Sequence, residues 1–577
     1  MRSEHAIPLL LGLAGVSLAG CPGPSTDDAG TSPRVDAAGL DAPGLDAPGL
    51  DAFAPGVDAH VDPSVDAAGL DAPLGEVIPP DDPGAADVRF EVSSLERRHP
   101  ISPWIYGSNQ VEPSAPHGET MGRLGGNRWT AYNWETNASN AGSDYLYQND
   151  TYLGGGSTPG GAVAGPVSAL HGAGMGALVT VPIAGWVAAD TSGPTDPGGA
   201  DRGSRFFEVR ASGGTLGGPP NTGDRLVYTD EYVDWVRRTL MPEGTVFFSL
   251  DNEPDLWSAT HSEIHPAALT YAEIIARNTE HATAITAVVP DAVVLGPVNY
   301  GYAGYLNLQS APDAAGRDFL ETYLDAMRAA ETTAGRRLVD ALDVHWYPEA
   351  QGGGQRITGE GTSPEEIEAR VQAPRSLWDP SYVESSWITD CCSGGAIRLI
   401  PWLRDKIDAH YPGTRIAITE YDYGAAGHIS GGIAQADVLG VFADEDVFAA
   451  MWWQLAEART YVDGAFEMYR DYDGAGGHFG DTSIASSSSD IARGSVHASV
   501  DASSADRMVL VAINRSSAPI TAGFRVAHTR RFGTARVFRL TAASASPVAD
   551  GTIAITLTNA FTATLPGHSV TTLELVP

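Results

Sequence analysis

Apolar residues along this chain come in short runs that end in polar ones. Eight such runs stand between residues 104 and 455: "WIYGSN" (104–109), "TMGRLGGNR" (120–128), "GALVTVPIAGW" (176–186), "TVFFSLDNE" (245–253), "AVVLGPVN" (292–299), "ALDVHWYP" (341–348), "RIAITEYDY" (415–423) and "VFAAMWWQL" (447–455). Each has the length and density of a buried strand. Helical spacing fills several gaps. Over 266–289, Leu269, Ala272, Ile275, Ala276, Thr279, Ala282 and Ile285 recur at three and four, with Pro266 where a first helical turn tolerates it. A second helical stretch runs from Asp318 to Ala330. This alternation predicts an α/β fold, a (β/α)8 barrel over 104–460, although a doubly wound sheet would alternate in much the same way. Past Tyr461 the period becomes two, in "RMVLVAINRS", "ITAGFRVAH", "TARVFRLTA", "TIAITLTN" and "TATLPGHSVTTLELV". Residues 461–577 therefore predict an antiparallel β-sandwich. "DVRFEVSS" (87–94) has strand character, and the segment 87–103 is expected to complete that sandwich.

The N-terminus follows a different pattern. Arg2 precedes an apolar run, Ile7 to Leu18, too short to span a bilayer and fitting a signal-peptide core. The run ends in Leu18-Ala19-Gly20-Cys21, which resembles a bacterial lipobox. That resemblance implies a leader over 1–20 and lipidation at Cys21; ordinary signal-peptidase cleavage, with Cys21 incidental, is the other reading. Pro22 rather than Asp follows Cys21, the pattern of an outer-membrane or cell-surface lipoprotein in a Gram-negative bacterium. Residues 21–86 repeat "GLDAP" units and are poor in apolar residues, so they read as an extended tether. No later stretch is apolar enough to cross a membrane, so the expected membrane contact is the lipid anchor only.

Charge narrows the partners. The formal net charge is -37, and an acidic surface repels nucleic acid; a neutral polymer meets no such penalty. Besides Cys21 there are only Cys391 and Cys392, too few for a four-ligand zinc site; being adjacent, they form either a vicinal disulfide or two thiols.

The chemistry gathers at the ends of the fourth and seventh runs, Asn252-Glu253-Pro254 and Thr419-Glu420-Tyr421. In a barrel these ends converge on one mouth. Two carboxyl groups there suit glycoside cleavage, one protonating the leaving oxygen and the other attacking the anomeric carbon. Each glutamate alone is equally a solvated loop carboxylate; their joint placement is what points to an enzyme. Asn252 can hydrogen-bond a sugar hydroxyl. Tyr347 can orient a carboxylate nucleophile, and His345 can hold that network. Trp257, Trp378 and Trp387 lie in polar loops and offer flat faces for sugar rings, as do Tyr145 and Tyr152. Trp453 stands late in the last run, where core packing competes with substrate binding. There is no G-x-S-x-G and no H-E-x-x-H, so a serine hydrolase or zinc hydrolase lacks support.

The blocks "SLDNEPDLWSATHSEIHP", "LDVHWYPEA", "RSLWDPSYVESSWI" and "AITEYDYGAAGHISGGIAQADVLG" resemble glycoside hydrolase family 44 across about 87–577. The resemblance implies a barrel plus a sandwich built from both chain ends. It also implies retaining, internal cleavage of β-1,4-glucans such as cellulose, carboxymethylcellulose or xyloglucan, with no cofactor for catalysis. By motif, Glu253 matches the acid/base, Glu420 the nucleophile and Asn252 the residue before the acid, while Trp378 and Trp387 resemble a cleft wall. Family members can hold a structural calcium; Glu135 and Asp190 lie in suitable loops, though its ligands are not assigned. The alternative expectation is a non-catalytic glycan-binding surface lipoprotein.

Overall fold

The structure is a computed structural model that describes residues 76–577. The expected leader, Cys21 and the tether as far as residue 75 lie outside the described residues. The first regular strand is β1 (Val88–Ser93). Eight parallel strands follow: β2 (Gly107–Ser108), β3 (Met121–Leu124), β4 (Gly176–Val181), β5 (Val246–Leu250), β6 (Val294–Asn299), β7 (Ala341–Trp346), β8 (Arg415–Tyr421) and β9 (Ala449–Trp452). Each pairs with the next, and β9 closes on β2, so the ring has no edge and the doubly wound alternative falls away.

The strand period of two explains where the site lies. The barrel floor is packed with Met121, Leu178, Phe247, Leu295, Ala341, Ala417, Ala449 and Met451. Two residues further along their strands come Arg123, Thr180, Ser249, Asp343 and Thr419, all buried and all polar. The interior thus changes from apolar to polar toward the C-terminal mouth. On β8 the register against β7 slips, Val344 pairing Ile418 but His345 pairing Glu420. Thr419 is the extra residue of this bulge, and the bulge lets Thr419 and Glu420 both turn inward.

The helices begin where side chains cap them. Helix α1 (Tyr271–Val288) starts later than position 266, because the Thr270 side chain accepts from the Glu273 N–H at 3.1 Å and leaves Pro266 outside. Helix α2 (Phe319–Ala334) is capped by Asp318. Helix α3 (Ile429–Asp444) is buried on every face from Ile429 to Ala443. Helix α4 (Thr460–Arg470) bonds to α3 through Tyr469 Oη and the Ala436 carbonyl, and it accepts from Thr572 of the sandwich at Met468 O. The barrel's last helix therefore runs past the boundary expected at 460.

The C-terminal strands are β10 (Ala485–Ser488), β11 (Gly494–Asp501), β12 (Ser504–Asn514), β13 (Ile520–Ala527), β14 (Thr534–Thr541), β15 (Ser544–Ala554), β16 (Ala560–Leu565) and β17 (Ser569–Val576). One sheet has the order β10-β1-β13-β16; the other carries β11-β12-β17-β14-β15, with two short strands beyond β11. The N-terminal strand does complete the sandwich, but it runs parallel to β13. The expected end of the tether at 86 is too late. Ile78 N–H donates to His528 O (2.9 Å) and Asp81 N–H to Thr558 O (2.8 Å), while the Asp81 carboxylate accepts from Thr558 N–H (2.7 Å). These residues read as coil by composition, yet backbone partners on the sandwich satisfy them.

Barrel and sandwich meet over α3. His497 on β11 contacts Asp437 (3.1 Å) and Asp444 (2.7 Å), and Arg515 contacts Asp437 (2.5 Å). Gly440 is required there, since a Cβ on it would fall 2.1 Å from the His497 ring.

Candidate active site

β5 leads straight into Asp251, whose buried carboxylate accepts from Thr130 Oγ1 (2.6 Å), Ile183 N–H (2.5 Å) and Asn252 N–H (2.8 Å). That anchor holds a turn in which Asp251 and Glu253 both adopt left-handed backbone, at φ 71° and 44°. Strain of about 1–3 kcal/mol per residue is typical of such positions and persists where surrounding contacts impose it. Here Glu253 N–H also donates to Val298 O at 3.0 Å. The turn presents Glu253 at the mouth opposite Glu420, and the functional atoms of Glu253, His345 and Glu420 all lie within 4.8 Å of one another.

The two carboxyl groups have unequal surroundings. Glu420 accepts from Arg123 Nη1 (2.6 Å) and Tyr347 Oη (2.8 Å), and the Arg123 side chain is wholly buried. A guanidinium and a phenol fix its two oxygens in place. Glu253 has only His345 Nδ1 beside Oε1, at 2.9 Å. Burial pushes Glu253 up to about 8; Arg123 works against this and Asp144 adds to it. Burial pushes the His345 imidazole down to about 3, so at neutral pH it carries no charge beside Glu253. Asn252 Oδ1 accepts from Arg123 Nη2 (2.7 Å) and Gly126 N–H (3.1 Å), which fixes the amide with its oxygen inward. One guanidinium thereby orients both Glu420 and Asn252.

The aromatic residues divide. Trp453 is half-buried with its ring over Gly126, where a Cβ would meet the indole at 2.5 Å, so it lies beside the Asn252 anchor. Trp387 is half-buried beside Glu349; Glu349 pairs with Arg356, and Tyr300 lies between that pair and Glu253. Tyr145 (47% exposed) closes a short turn that contains Asp144, and Tyr152 (59%) is exposed with the Arg128 guanidinium over one ring face. Trp378 packs partly against the barrel core. Trp257 corrects the sequence reading: it is 0% exposed and packs against His265 and Arg277. The turn at Pro254–Leu256 folds its indole inward, so it offers no face to a sugar.

Other expectations resolve similarly. Asp190 is occupied by Arg205 at 2.6 and 2.7 Å and has little left for a cation. Glu135 is different. It is 2% exposed, both its oxygens are buried without a hydrogen-bond partner, and burial with Glu231 and Asp224 nearby pushes it up to about 8. Two unpartnered carboxylate oxygens are one residue's share of the six to eight oxygens a calcium ion takes. Cys391 and Cys392 bring their sulfur atoms to 2.6 Å within one turn over Thr389–Ser393. Arg123 and Asp343 were missed as site residues. The available signal was a charged side chain inside an otherwise apolar run.

A closed barrel with two carboxyl groups facing each other at its C-terminal mouth, one fixed by a guanidinium and a phenol and the other beside an imidazole, is the architecture of a glycoside hydrolase. The family model for glycoside hydrolase family 44 matches residues 138–350. Endoglucanase A of Paenibacillus lautus is 41% identical over 505 residues, covering 84% of this chain and 71% of that one. The structure of a Paenibacillus polymyxa family 44 xyloglucanase with xyloglucan superposes with a TM-score of 0.82 at 39% identity, covering 85% of this chain and 99% of that one. The family 44 endoglucanase of Clostridium thermocellum gives 0.81 at 40%, covering 85% and 100%. The chain belongs to glycoside hydrolase family 44.

Proposed function

We propose that the protein is a retaining endo-β-1,4-glucanase in which Glu253 is the acid/base and Glu420 the nucleophile. The unequal surroundings of the two carboxyl groups carry this reading. Retention needs the carboxyl groups about 5–5.5 Å apart, whereas inversion needs room for a water between them; an oxygen of each lies within 4.8 Å of the other, close enough to leave no such room. In the first half-reaction Glu253 protonates the leaving oxygen while Glu420 attacks the anomeric carbon. In the second, Glu253 takes a proton from the water that releases the sugar. Tyr347 and Arg123 hold Glu420 in place, and Asn252 faces the sugar. Relatives named endoglucanase and xyloglucanase support β-1,4-glucans as substrates, with Trp453, Trp387, Tyr145 and Tyr152 as stacking faces. Trp378 keeps a more distant wall position in this scheme.

The test is release of reducing ends from carboxymethylcellulose, xyloglucan, lichenan, xylan and mannan. Glu420→Gln should abolish activity on every substrate. Glu253→Gln should cost about 10²–10⁴-fold on polymers, and far less on aryl glycosides whose leaving groups need no proton. Equal, mild losses in both variants would sink the assignment. Folded protein that binds glucan without cutting it would restore the non-catalytic reading.

We extend the proposal to an exported lipoprotein anchored through Cys21 at the outer membrane or cell surface, which labelling with a radioactive fatty acid in wild type and Cys21→Ser would test. A calcium ion is proposed at Glu135, with no part in the chemistry. Chelation should lower the melting temperature of the wild type and leave Glu135→Gln unmoved.

A further inference from the structure

Below the two glutamates lies a buried line of polar groups that the chemistry above does not use. Asp343 and His345 are two apart on β7, share its inward face and are both 0% exposed. Thr419, the bulge residue of β8, sits between them. Its Oγ1 is 2.9 Å from each Asp343 carboxylate oxygen and 3.2 Å from His345 Nε2. The other imidazole nitrogen, Nδ1, is 2.9 Å from Glu253 Oε1 and 3.4 Å from Glu420 Oε2. We propose that Asp343 is a positioning residue for the acid/base: through Thr419 it decides which nitrogen of His345 holds the proton, and so whether the imidazole accepts from Glu253 or donates to it. The inference rests on the reading of Glu253 as acid/base.

The argument follows from donor counting. A threonine hydroxyl has one hydrogen. With Asp343 ionised, Thr419 gives that hydrogen to Asp343, so Nε2–H donates to Oγ1. Nδ1 is then bare and accepts from the protonated Glu253. With Asp343 protonated, its O–H donates to Oγ1 and Thr419 donates to Nε2. Nδ1–H then donates to the Glu253 carboxylate. The two arrangements hold the same number of protons. Passing from the first to the second moves one proton from Glu253 to Nδ1, one from Nε2 to Oγ1 and one from Oγ1 to Asp343. The first keeps the proton on Glu253, where an acid needs it; the second leaves Glu253 a carboxylate with no proton to give to the leaving oxygen.

The surroundings keep both arrangements within reach. Burial pushes Asp343 up to about 7, against the pull of Arg123 and the Thr419 hydrogen bonds, with Glu420 adding to the rise. The Tyr305 and Tyr323 phenols also face it. Glu253 is faced by Arg123, Asp144, Asp255, Tyr300, Tyr305 and Tyr347. A buried aspartate is a costly way merely to hold a threonine; a neutral side chain would serve.

The test is the pH profile of kcat/KM for the full chain on an unactivated glucan. In Asp343→Asn, Thr419 N–H, 3.3 Å from Oδ1, selects the amide oxygen there and turns the amide NH2 toward Oγ1, a donor where the carboxylate only accepted, which favours the second arrangement. The basic limb should move about one pH unit lower, a tenfold change in proton affinity. In the double variant with Thr419→Val the Asp343→Asn change should no longer move the limb. A limb that stays in place while kcat/KM is merely scaled down overturns the proposal. If Asp343→Asn fails to fold, Thr419→Val alone must shift the limb, and an unmoved limb is equally fatal. Normal polymer activity in Glu253→Gln would instead sink the reading of Glu253, so the two failures are distinguishable.

Discussion

Replacing Asp437 by Asn should break the joint between barrel and sandwich. Asp437 is 0% exposed and sits between Arg515 (2.5 Å) and His497 (3.1 Å), whose side chains are 1% and 4% exposed. With Asp444 the group holds two positive and two negative charges. Burial pushes the Asp437 carboxyl up, but Arg515 and His497 outweigh it and hold it below the usual range. Asparagine keeps the volume and removes the charge, leaving a buried excess of positive charge. Losing one partner of a buried pair costs about 3–5 kcal/mol. The pH dependence adds a second reading. Burial opposes the His497 charge, yet Asp444 and Asp437 raise it from 6.5 to about 9. A raised folded value stabilises fully below the unfolded pKa and is lost as pH rises through the folded one. The wild type should therefore lose up to about 3 kcal/mol between pH 6.5 and pH 9 and above. The assay is urea unfolding followed by tryptophan fluorescence from pH 6 to 10. Asp437→Asn should start about 3–5 kcal/mol lower at pH 7 and show a shallower loss toward high pH. A variant within about 1 kcal/mol of wild type at pH 7, an ordinary surface-pair value, would refute the reasoning. So would a wild-type stability flat from pH 6 to 10.

Three further outcomes follow from the site and from the segment around Ile78 and Asp81. Arg123→Lys keeps the charge but cannot serve Glu420 and Asn252 from one fork, so kcat should fall about 100-fold, as for a lost transition-state donor, with stability at pH 7 measured alongside by urea unfolding. Because burial raises Glu253 to about 8 and its protonated form is the working acid, polymer hydrolysis should fall as pH rises through 8; the rate on activated aryl glycosides should not follow that limb. Deleting residues 1–86 should lower the melting temperature below that of the protein lacking only 1–75, by removing the Ile78 and Asp81 contacts.

The barrel was legible because its strands are buried on both faces and so stand out as apolar runs. Glu253 and Glu420 were legible because such runs ended in them. Arg123 and Asp343 were hidden for the converse reason: one polar residue inside an apolar run looks like noise until the period of two places it above the barrel floor. The inward turn of Glu420 depends on a bulge, and a bulge has no composition of its own. Trp257 misled because a polar neighbourhood in sequence says nothing about where a turn sends the side chain. Strand β11 was passed over because "GSVHASVD" is small and polar, although all but its last residue are buried. The run at 562–576 was read as one strand and splits at Pro566-Gly567. β15 was placed too late, over 552–559, because most of 544–554 is exposed and gives no alternation.

The parallel pairing of β1 with β13 fixes an order of events during synthesis. Val88, Phe90 and Val92 leave the ribosome early, but their neighbours Ala522, Phe524 and Val526 are more than 400 residues away. At about 5–20 residues per second, these apolar side chains wait roughly 20–90 s for a partner. The barrel can close in that interval, since every one of its strands lies between the two halves of the sandwich. A nascent chain arrested before residue 485, where the other neighbour of β1, strand β10, begins, should then carry a finished catalytic ring and a bare strand. That strand is the one a chaperone, or a second nascent copy, would meet first.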